Sequence, residues 1–556
     1  MNKHALYHKS DGLYAFALDG NTVELRLRAA HGDLNGVTLV YGKKHEFCKE
    51  RKSMPVPFSL TDGMFDYYTV RLKLDDKRLA YVFVLTDTSG KKYYYSEDGA
   101  TESYDYSTAY YNFFQLAYVN KNDVMPYVDW LGNAVVYQIF PDRFAVGEPP
   151  HGEQPSSVDK DYINLEWGRK PTPKSFAGGN LWGVAQKLDY LRDLGVNTLY
   201  LTPIFTSRSN HKYDISDYYN VDPHFGGNVA FKHLMNECKK RGVRVILDAV
   251  FNHCSDELLQ FKDVCEKGGK SKYRDWFVIN GDKPTKRPRN YEVFAECDYM
   301  PKWNTANPEV QEYLCAVGEH WINEYGIDGW RLDVSDEVSH EFWRKFRKRI
   351  KALGEDKVLI GENWHDSRSY LRGEQFDSIM NYAFTKAMLD FFAKREMDAQ
   401  GFCDKLNGLL MRNSTQVNGM MLNLIDCHDT HRFYTLCGCD EKKLLCALAV
   451  ELFMPGAAMV YYGTEIPLEG GYDPDSRRCF IWGEHEFTPK VKKLLGYKRL
   501  KSLGGCDAKL TCENGLFIVE REAAGEKTVL LVNNTDNKLT ARGTTVEPYD
   551  FKIIRD

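Results

Sequence analysis

The stretch IDGWRLDV, residues 327–334, is a short apolar run that ends in an acidic residue. Before it lies an amphipathic run over 308–325 closed by Gly326, and after it the polar Ser335, Asp336 and Glu337. A helical period followed by a buried strand is the repeating unit of a parallel sheet with crossover helices. The same unit recurs on both sides. AVVYQIF (134–140), VNTLYLTPI (196–204) and VRVILDAVF (243–251) precede it, and VLIGE, FDSIMNY, MLNLIDC and AMVYYG follow it, beginning at Val358, Phe376, Met421 and Ala458. Helical periods over 181–194 and 229–241 lie between the early strands. Eight such strands predict a (β/α)8 barrel over 126–503, with a long polar and aromatic insertion at 254–306 after the third strand.

Outside the barrel the pattern changes. VELRLRA, GVTLVYG, YYTVRLKL and AYVFVLTD alternate with period two and are separated by turn residues, predicting a β-sandwich over 1–125. GLFIVERE, KTVLLVNN and YDFKIIRD predict a small β domain over 504–556. The first segment is rich in tyrosine, among them Tyr93, Tyr94, Tyr95, Tyr104, Tyr106, Tyr110 and Tyr111. Such rings suit the flat apolar faces of sugars, and they equally suit half-buried strands.

The 556 residues are 43% hydrophobic and 27% charged, with 20 prolines, a composition that excludes wholesale disorder and collagen-like repeats. A formal net charge of −5, from 73 basic and 78 acidic side chains, gives no electrostatic reason to expect nucleic acid or an anionic membrane as partner. The apolar run at 444–463 carries Glu451 and a Pro455-Gly456 break, so it reads as helix, turn and strand rather than a membrane span. The N-terminal residues lack the apolar stretch of an export signal, which makes a cytoplasmic location the expectation. Fourteen cysteines without framework spacing are then expected to be reduced thiols, and the sequons at Asn413 and Asn533 unused.

In a barrel the C-terminal strand ends converge on one mouth. Asp333, Glu362 and Asp429 all stand at such ends. Arg331, two residues before Asp333, faces the same side of its strand and is placed to keep that carboxylate ionised. Each acid alone could be a helix cap or a salt-bridge partner. Together they suggest retaining glycoside hydrolysis, which needs two carboxyl groups about 5–5.5 Å apart, one ionised as nucleophile and one protonated as acid. On this reading Asp333 stays charged, and a neighbouring negative charge keeps Glu362 protonated.

Four ordered motifs then carry a resemblance. DAVFNH (248–253), GWRLDVSDE (329–337), GENWH (361–365) and IDCHD (425–429) resemble the main sequence regions of the α-amylase family of glycoside hydrolases. MPKWN (300–304) and YQIFPDRF (137–144) resemble its cyclomaltodextrinase, neopullulanase and maltogenic amylase subgroup, and the N-terminal domain resembles a starch-binding type of module. The resemblance implies Asp333 as nucleophile, Glu362 as general acid/base and Asp429 as the third, substrate-distorting carboxylate. It implies that Arg331 supports the nucleophile, that His253 and His428 hydrogen-bond the sugar, and that Tyr213 in NHKYD stacks beneath it, with His211 and Asp248 in support. Trp364, next to the acid/base, is a platform for an acceptor sugar or a packing residue of the rim; Trp303, Phe251 and Tyr472 are further aromatic candidates.

The implied substrates are α-1,4-glucan oligosaccharides, namely cyclodextrins, maltooligosaccharides and pullulan, with transfer to acceptor sugars where one outcompetes water. An α-glucosidase, an α-amylase of other specificity and, from a different class, a noncatalytic glucan-binding protein are the alternatives. Relatives of this subgroup commonly pair, so a homodimer is implied. No cofactor is required by this chemistry. Many relatives hold calcium through residues after PDRF, where this chain reads AVGEPPHGE (145–153), with Val146 and Glu148; Asn252 matches a second family calcium position but alone supplies one oxygen of the six to eight needed. No residue is assigned to a metal. Trp303 in place of the usual leucine, and Thr464 where GDE is common, leave specificity open.

Overall fold

The computed structural model describes residues 1–151 and 160–555. Two antiparallel sheets build the N-terminal region. Thr22–Ala30 lies between Ala15–Ala17 and Phe65–Lys73 in one, and Leu34–Lys43 and Leu79–Asp87 pair at the centre of the other. Along Thr22–Ala30 the alternation has two buried sides. Val23, Leu25 and Leu27 join the sandwich core with Leu39, Val70, Tyr81 and Phe83. Glu24 and Arg26 point the other way and are buried against the barrel, where Arg26 Nη1 donates to the carbonyl of Asn413 (2.7 Å) and Thr415 Oγ1 donates to Glu24 (3.0 Å).

The barrel strands are β1 (Val135–Ile139), β2 (Thr198–Leu201), β3 (Arg244–Ala249), β4 (Gly329–Leu332), β5 (Val358–Gly361), β6 (Ser378–Ile379), β7 (Leu422–Leu424) and β8 (Ala457–Tyr461). All pair in parallel, in the order β6-β5-β4-β3-β2-β1-β8-β7. A bridge between Met380 and Leu422, with Asn381 N donating to the Leu422 carbonyl (2.8 Å), joins the two ends. Val136, Tyr200, Ile246, Val358, Ile360, Leu422, Leu424 and Met459 fill the interior, as expected for a packed barrel core. At Gly329 a Cβ would lie 2.4 Å from the Val358 carbonyl, so only glycine lets β4 and β5 approach this closely.

Several details differ from the sequence reading. The helical period over 181–194 is two helices, Leu181–Gln186 and Leu188–Leu194, separated at Lys187. The run at Phe376 contributes a strand of two residues, Ser378–Ile379, far shorter than its apolar pattern suggested. Pro308–Tyr325 is helical throughout, capped by the Asn307 side chain on Glu309 N (2.8 Å) and ended by Gly326 at φ 73°. The C-terminal region is a four-stranded antiparallel sheet of Lys509–Glu513, Leu516–Ala523, Glu526–Asn533 and Asp550–Arg555, with a small hairpin beside it. All fourteen cysteines are free thiols, and among the described residues no helix is long and apolar enough to cross a membrane.

Candidate active site

Register assembles the centre of the site. Asp248 on β3 is the direct partner of Arg331 on β4, and Leu332 is the partner of Gly361 on β5. Asp333 and Glu362, one residue further along each strand, therefore emerge side by side at the barrel mouth. Arg331 is 1% exposed and serves all three acids. Its Nη1 donates to both Asp248 oxygens (3.0 Å) and to Asp333 Oδ1 (2.8 Å), while Nη2 forms an ion pair with Glu362 Oε2 at 2.8 Å whose angle falls short of a hydrogen bond.

One cation among three buried carboxyl groups cannot neutralise them all, so the cluster favours retaining a proton. Burial raises Asp333 well above the ordinary carboxylate range, and raises Glu362 as well. This departs from the expectation that Arg331 would keep Asp333 simply ionised: burial outweighs the guanidinium, which the other two acids share. Glu362 also accepts from Val334 N (3.0 Å) and Trp364 Nε1 (3.3 Å), whereas Asp333 Oδ2 is buried with no hydrogen-bond partner. A polar ligand would supply that partner. Val334, which delivers its N–H to Glu362, sits at φ 45°, a conformation unfavourable for a β-branched residue and common beside active centres.

A second corner gathers Asp429, His428, Tyr213 and His211. The amide nitrogen of Gln138 donates to His428 Nδ1 (2.8 Å), which places the ring proton on Nε2. That Nε2 faces the Tyr213 hydroxyl and Asp429 Oδ2 (3.1 Å), and Tyr213 in turn donates to Asp248 Oδ2 (3.1 Å). The Tyr213 and His428 rings stack with 5° between planes. Tyr213 N donates to His211 Nδ1 (3.1 Å), fixing that ring as well. Burial pushes His428 and His253 down to about 3 and His211 to about 4, so all three are neutral hydrogen-bonding groups. His253 stacks on Phe294 of the insertion (4.6 Å), and its Nε2 is a second buried atom with no hydrogen-bond partner.

Two supports were not visible in the sequence. Arg477 donates to Asp429 Oδ1 (3.0 Å) and to the His428 carbonyl (2.9 Å), and pairs with Asp473 (3.0 Å). Burial alone would raise Asp429, but His428 and Arg477 outweigh it and hold its carboxyl below the usual range. With His428 neutral, the lasting charge is that of Arg477. Lys212, at φ 62°, is buried with its Nζ on the Ser207 carbonyl (2.9 Å) and on Asp222 (2.9 Å), which pins the turn carrying His211 and Tyr213. Lys212 stands inside the NHKYD motif, whereas no sequence pattern marks Arg477.

The aromatic candidates separate cleanly. Trp364 is 47% exposed and lies flat on Tyr382 (3.7 Å, 6°), presenting a free face at the rim; Tyr472 is also exposed. Trp303 and Phe251 are core residues, 1% and 0% exposed, and cannot offer a face to a ligand. Of the stretch after PDRF, residues 152 and 153 lie outside the described residues. Val146 there is exposed, and the Asn180 oxygen beside it already accepts from Gly147 N (3.2 Å) and Gly183 N (2.8 Å), so these groups do not fit a calcium ion. The Asn252 oxygen is held by the Lys302 ammonium and does not fit one either.

Residues 138–503 match the family model described as alpha amylase, catalytic domain, and residues 1–120 match alpha amylase, N-terminal ig-like domain. The chain is 42% identical over 548 residues to a cyclomaltodextrinase of Thermoanaerobacter pseudethanolicus, covering 97% of this chain and 93% of that protein. It is 40% identical to neopullulanase 2 of Thermoactinomyces vulgaris, covering 96% and 92%. A solved cyclomaltodextrinase superposes with a TM-score of 0.89 at 35% identity, covering 98% of this chain and 94% of that one. With catalytic and N-terminal models both matched and relatives aligned nearly end to end, the chain belongs to the α-amylase family of glycoside hydrolases.

Proposed function

We propose that the protein hydrolyses α-1,4-glucosidic bonds of cyclodextrins, maltooligosaccharides and pullulan with retention, passing the glycosyl group to acceptor sugars where these outcompete water. The observation that carries this reading is the Arg331 guanidinium in contact with both Asp333 and Glu362. A sugar hydroxyl donating to Asp333 Oδ2 stabilises its ionised form and moves the shared proton to Glu362. Asp333 Oδ2 then attacks the anomeric carbon while Glu362 gives its proton to the departing glycosidic oxygen, leaving a glycosyl ester. Glu362, now a carboxylate, takes a proton from water, whose oxygen displaces Asp333. Asp429, charged through Arg477, and the neutral His428 and His253 are suited to grip ring hydroxyls, and Tyr213 to lie beneath the ring.

The names of the relatives support the substrate class. Chromatography of products from cyclodextrin, pullulan and soluble starch at equal glucose content tests it: cyclodextrin opened fastest, with panose from pullulan, is the expected outcome, and fastest action on starch would replace the specificity reading.

The reading extends to a cytoplasmic enzyme, supported by a relative named intracellular maltogenic amylase that is 37% identical. It also extends to a homodimer and to sugar contact by the N-terminal domain, where Tyr110 and Tyr111 are 54% and 89% exposed. Sedimentation velocity of the full chain over a hundredfold concentration range is expected to show a dimer; a monomer throughout removes it.

A further inference from the structure

The inserted segment returns to the barrel through Met300, Pro301 and Lys302, and the lysine ends on three oxygens. Its Nζ donates to Asn252 Oδ1, to the Glu337 carbonyl (3.1 Å) and to Glu337 Oε2 (3.1 Å). Asn252 is 1% exposed and the lysine side chain 22%. These oxygens belong to two different strand ends. Asn252 follows β3 and precedes His253; Glu337 closes the turn Ser335–Glu337 that follows Asp333 on β4. The backbone is tied at the same place, with Trp303 N on the Asn252 carbonyl (3.0 Å), Cys254 N on the Pro301 carbonyl (3.0 Å) and His253 bridged to Lys302.

An amide oxygen, a main-chain carbonyl and a carboxylate converging on one positive charge is the donor set of a hard cation. Here the charge is an ammonium whose three N–H donors match three acceptors. A divalent ion entering beside it would meet a like charge and oxygens already engaged. We propose that Lys302 is a built-in cation that takes the place of a metal ion at the junction of the barrel and the insertion, and positions His253 and the turn after Asp333. The positioning half rests on the hydrolytic reading above; the cation half does not.

The test uses the full chain, with calcium chloride or a chelator as the probe. Wild-type protein is expected to melt at the same temperature in millimolar calcium and in EDTA. Lys302→Met should lower that temperature by roughly 3 °C or more and speed proteolysis within 254–306 about tenfold, because three oxygens lose the cation they share. Lys302→Asp adds a carboxylate to the same oxygens, so in EDTA it should be destabilised, and calcium should restore its melting temperature and its kcat/KM together, saturably. Calcium stabilisation of the wild type that Asn252→Leu abolishes would overturn the proposal. So would a Lys302→Met protein as stable and protease-resistant as wild type, or a destabilised Lys302→Asp protein that ignores calcium. If Lys302→Asp does not fold, the wild-type and Lys302→Met measurements decide. A wild type inactive on every glucan, with these responses intact, would strike the hydrolytic reading and leave the cation.

Discussion

The two acidic corners of the site contain the same chemical groups and are wired in opposite ways. Around Arg331, Asp248, Asp333 and Glu362 share one guanidinium under near-complete burial. Asp429 has Arg477 largely to itself apart from Asp473, and its side chain is 29% exposed. Burial therefore raises Asp333 and Glu362, while Asp429 stays low. Ionisation here is set by the ratio of cations to carboxylates and by access to water rather than by residue type. Acid/base chemistry needs the crowded corner, and a fixed negative charge needs the other.

The largest effect should come from Asp333→Asn, which removes the attacking oxygen: kcat falls at least about 10^4-fold in a product assay. The same change should raise thermal stability. A carboxyl raised in the folded state binds its proton more tightly than in the unfolded chain, so it costs stability as pH climbs above the ordinary carboxylate range. Asn removes that cost, and the melting temperature at neutral pH should rise by roughly 2–4 °C, a gain that shrinks toward about pH 4. Asp429→Asn should do the reverse. Its lowered carboxyl contributes stability above the ordinary carboxylate range that is lost on acidification, so the variant should melt about 1–3 °C lower at neutral pH and converge with wild type in acid. Matching shifts in the two variants would break the comparison.

Arg477→Ala leaves Asp429 without its cation and should lower kcat/KM roughly 10- to 100-fold, with most of the loss in KM. The pH profile of kcat/KM should be a bell whose acid limb lies above the ordinary carboxylate range, since the Asp333 and Glu362 pair must release one proton and keep the other. Glu362→Gln should abolish the alkaline limb in whatever activity remains. The smallest effect belongs to Trp364→Phe, which keeps a ring on Tyr382 but deletes the N–H to Glu362 Oε1; a loss of about 2- to 10-fold is expected.

Strand periodicity and the acids at strand ends were legible because both are local. Asp333 lies two residues from Arg331, and a period of two is enough to place them on one face. Arg477 was illegible because it reaches Asp429 across 48 residues and gives no periodic signal. Trp303 and Phe251 stayed open in the sequence for a related reason: an aromatic beside a motif looks the same whether it faces the mouth or the core, and only the packing against Tyr218 and its neighbours decides. The brevity of β6 was hidden in the same way, since beyond Ile379 only the single bridge of Met380 to Leu422 continues the pairing, and Tyr382 packs as core.

By itself the sequence determined the order of strands and helices, the residues at each strand end and the motifs that mark the family, because these depend on period, caps and composition within a few residues of one another. The tertiary structure alone decided that one arginine serves three acids, that a second arginine keeps Asp429 charged, and that a lysine of the insertion grips the turn beyond the nucleophile. Those outcomes depend on distances between strand ends far apart in the chain, and electrostatic effects in a buried site follow such distances and the exclusion of water.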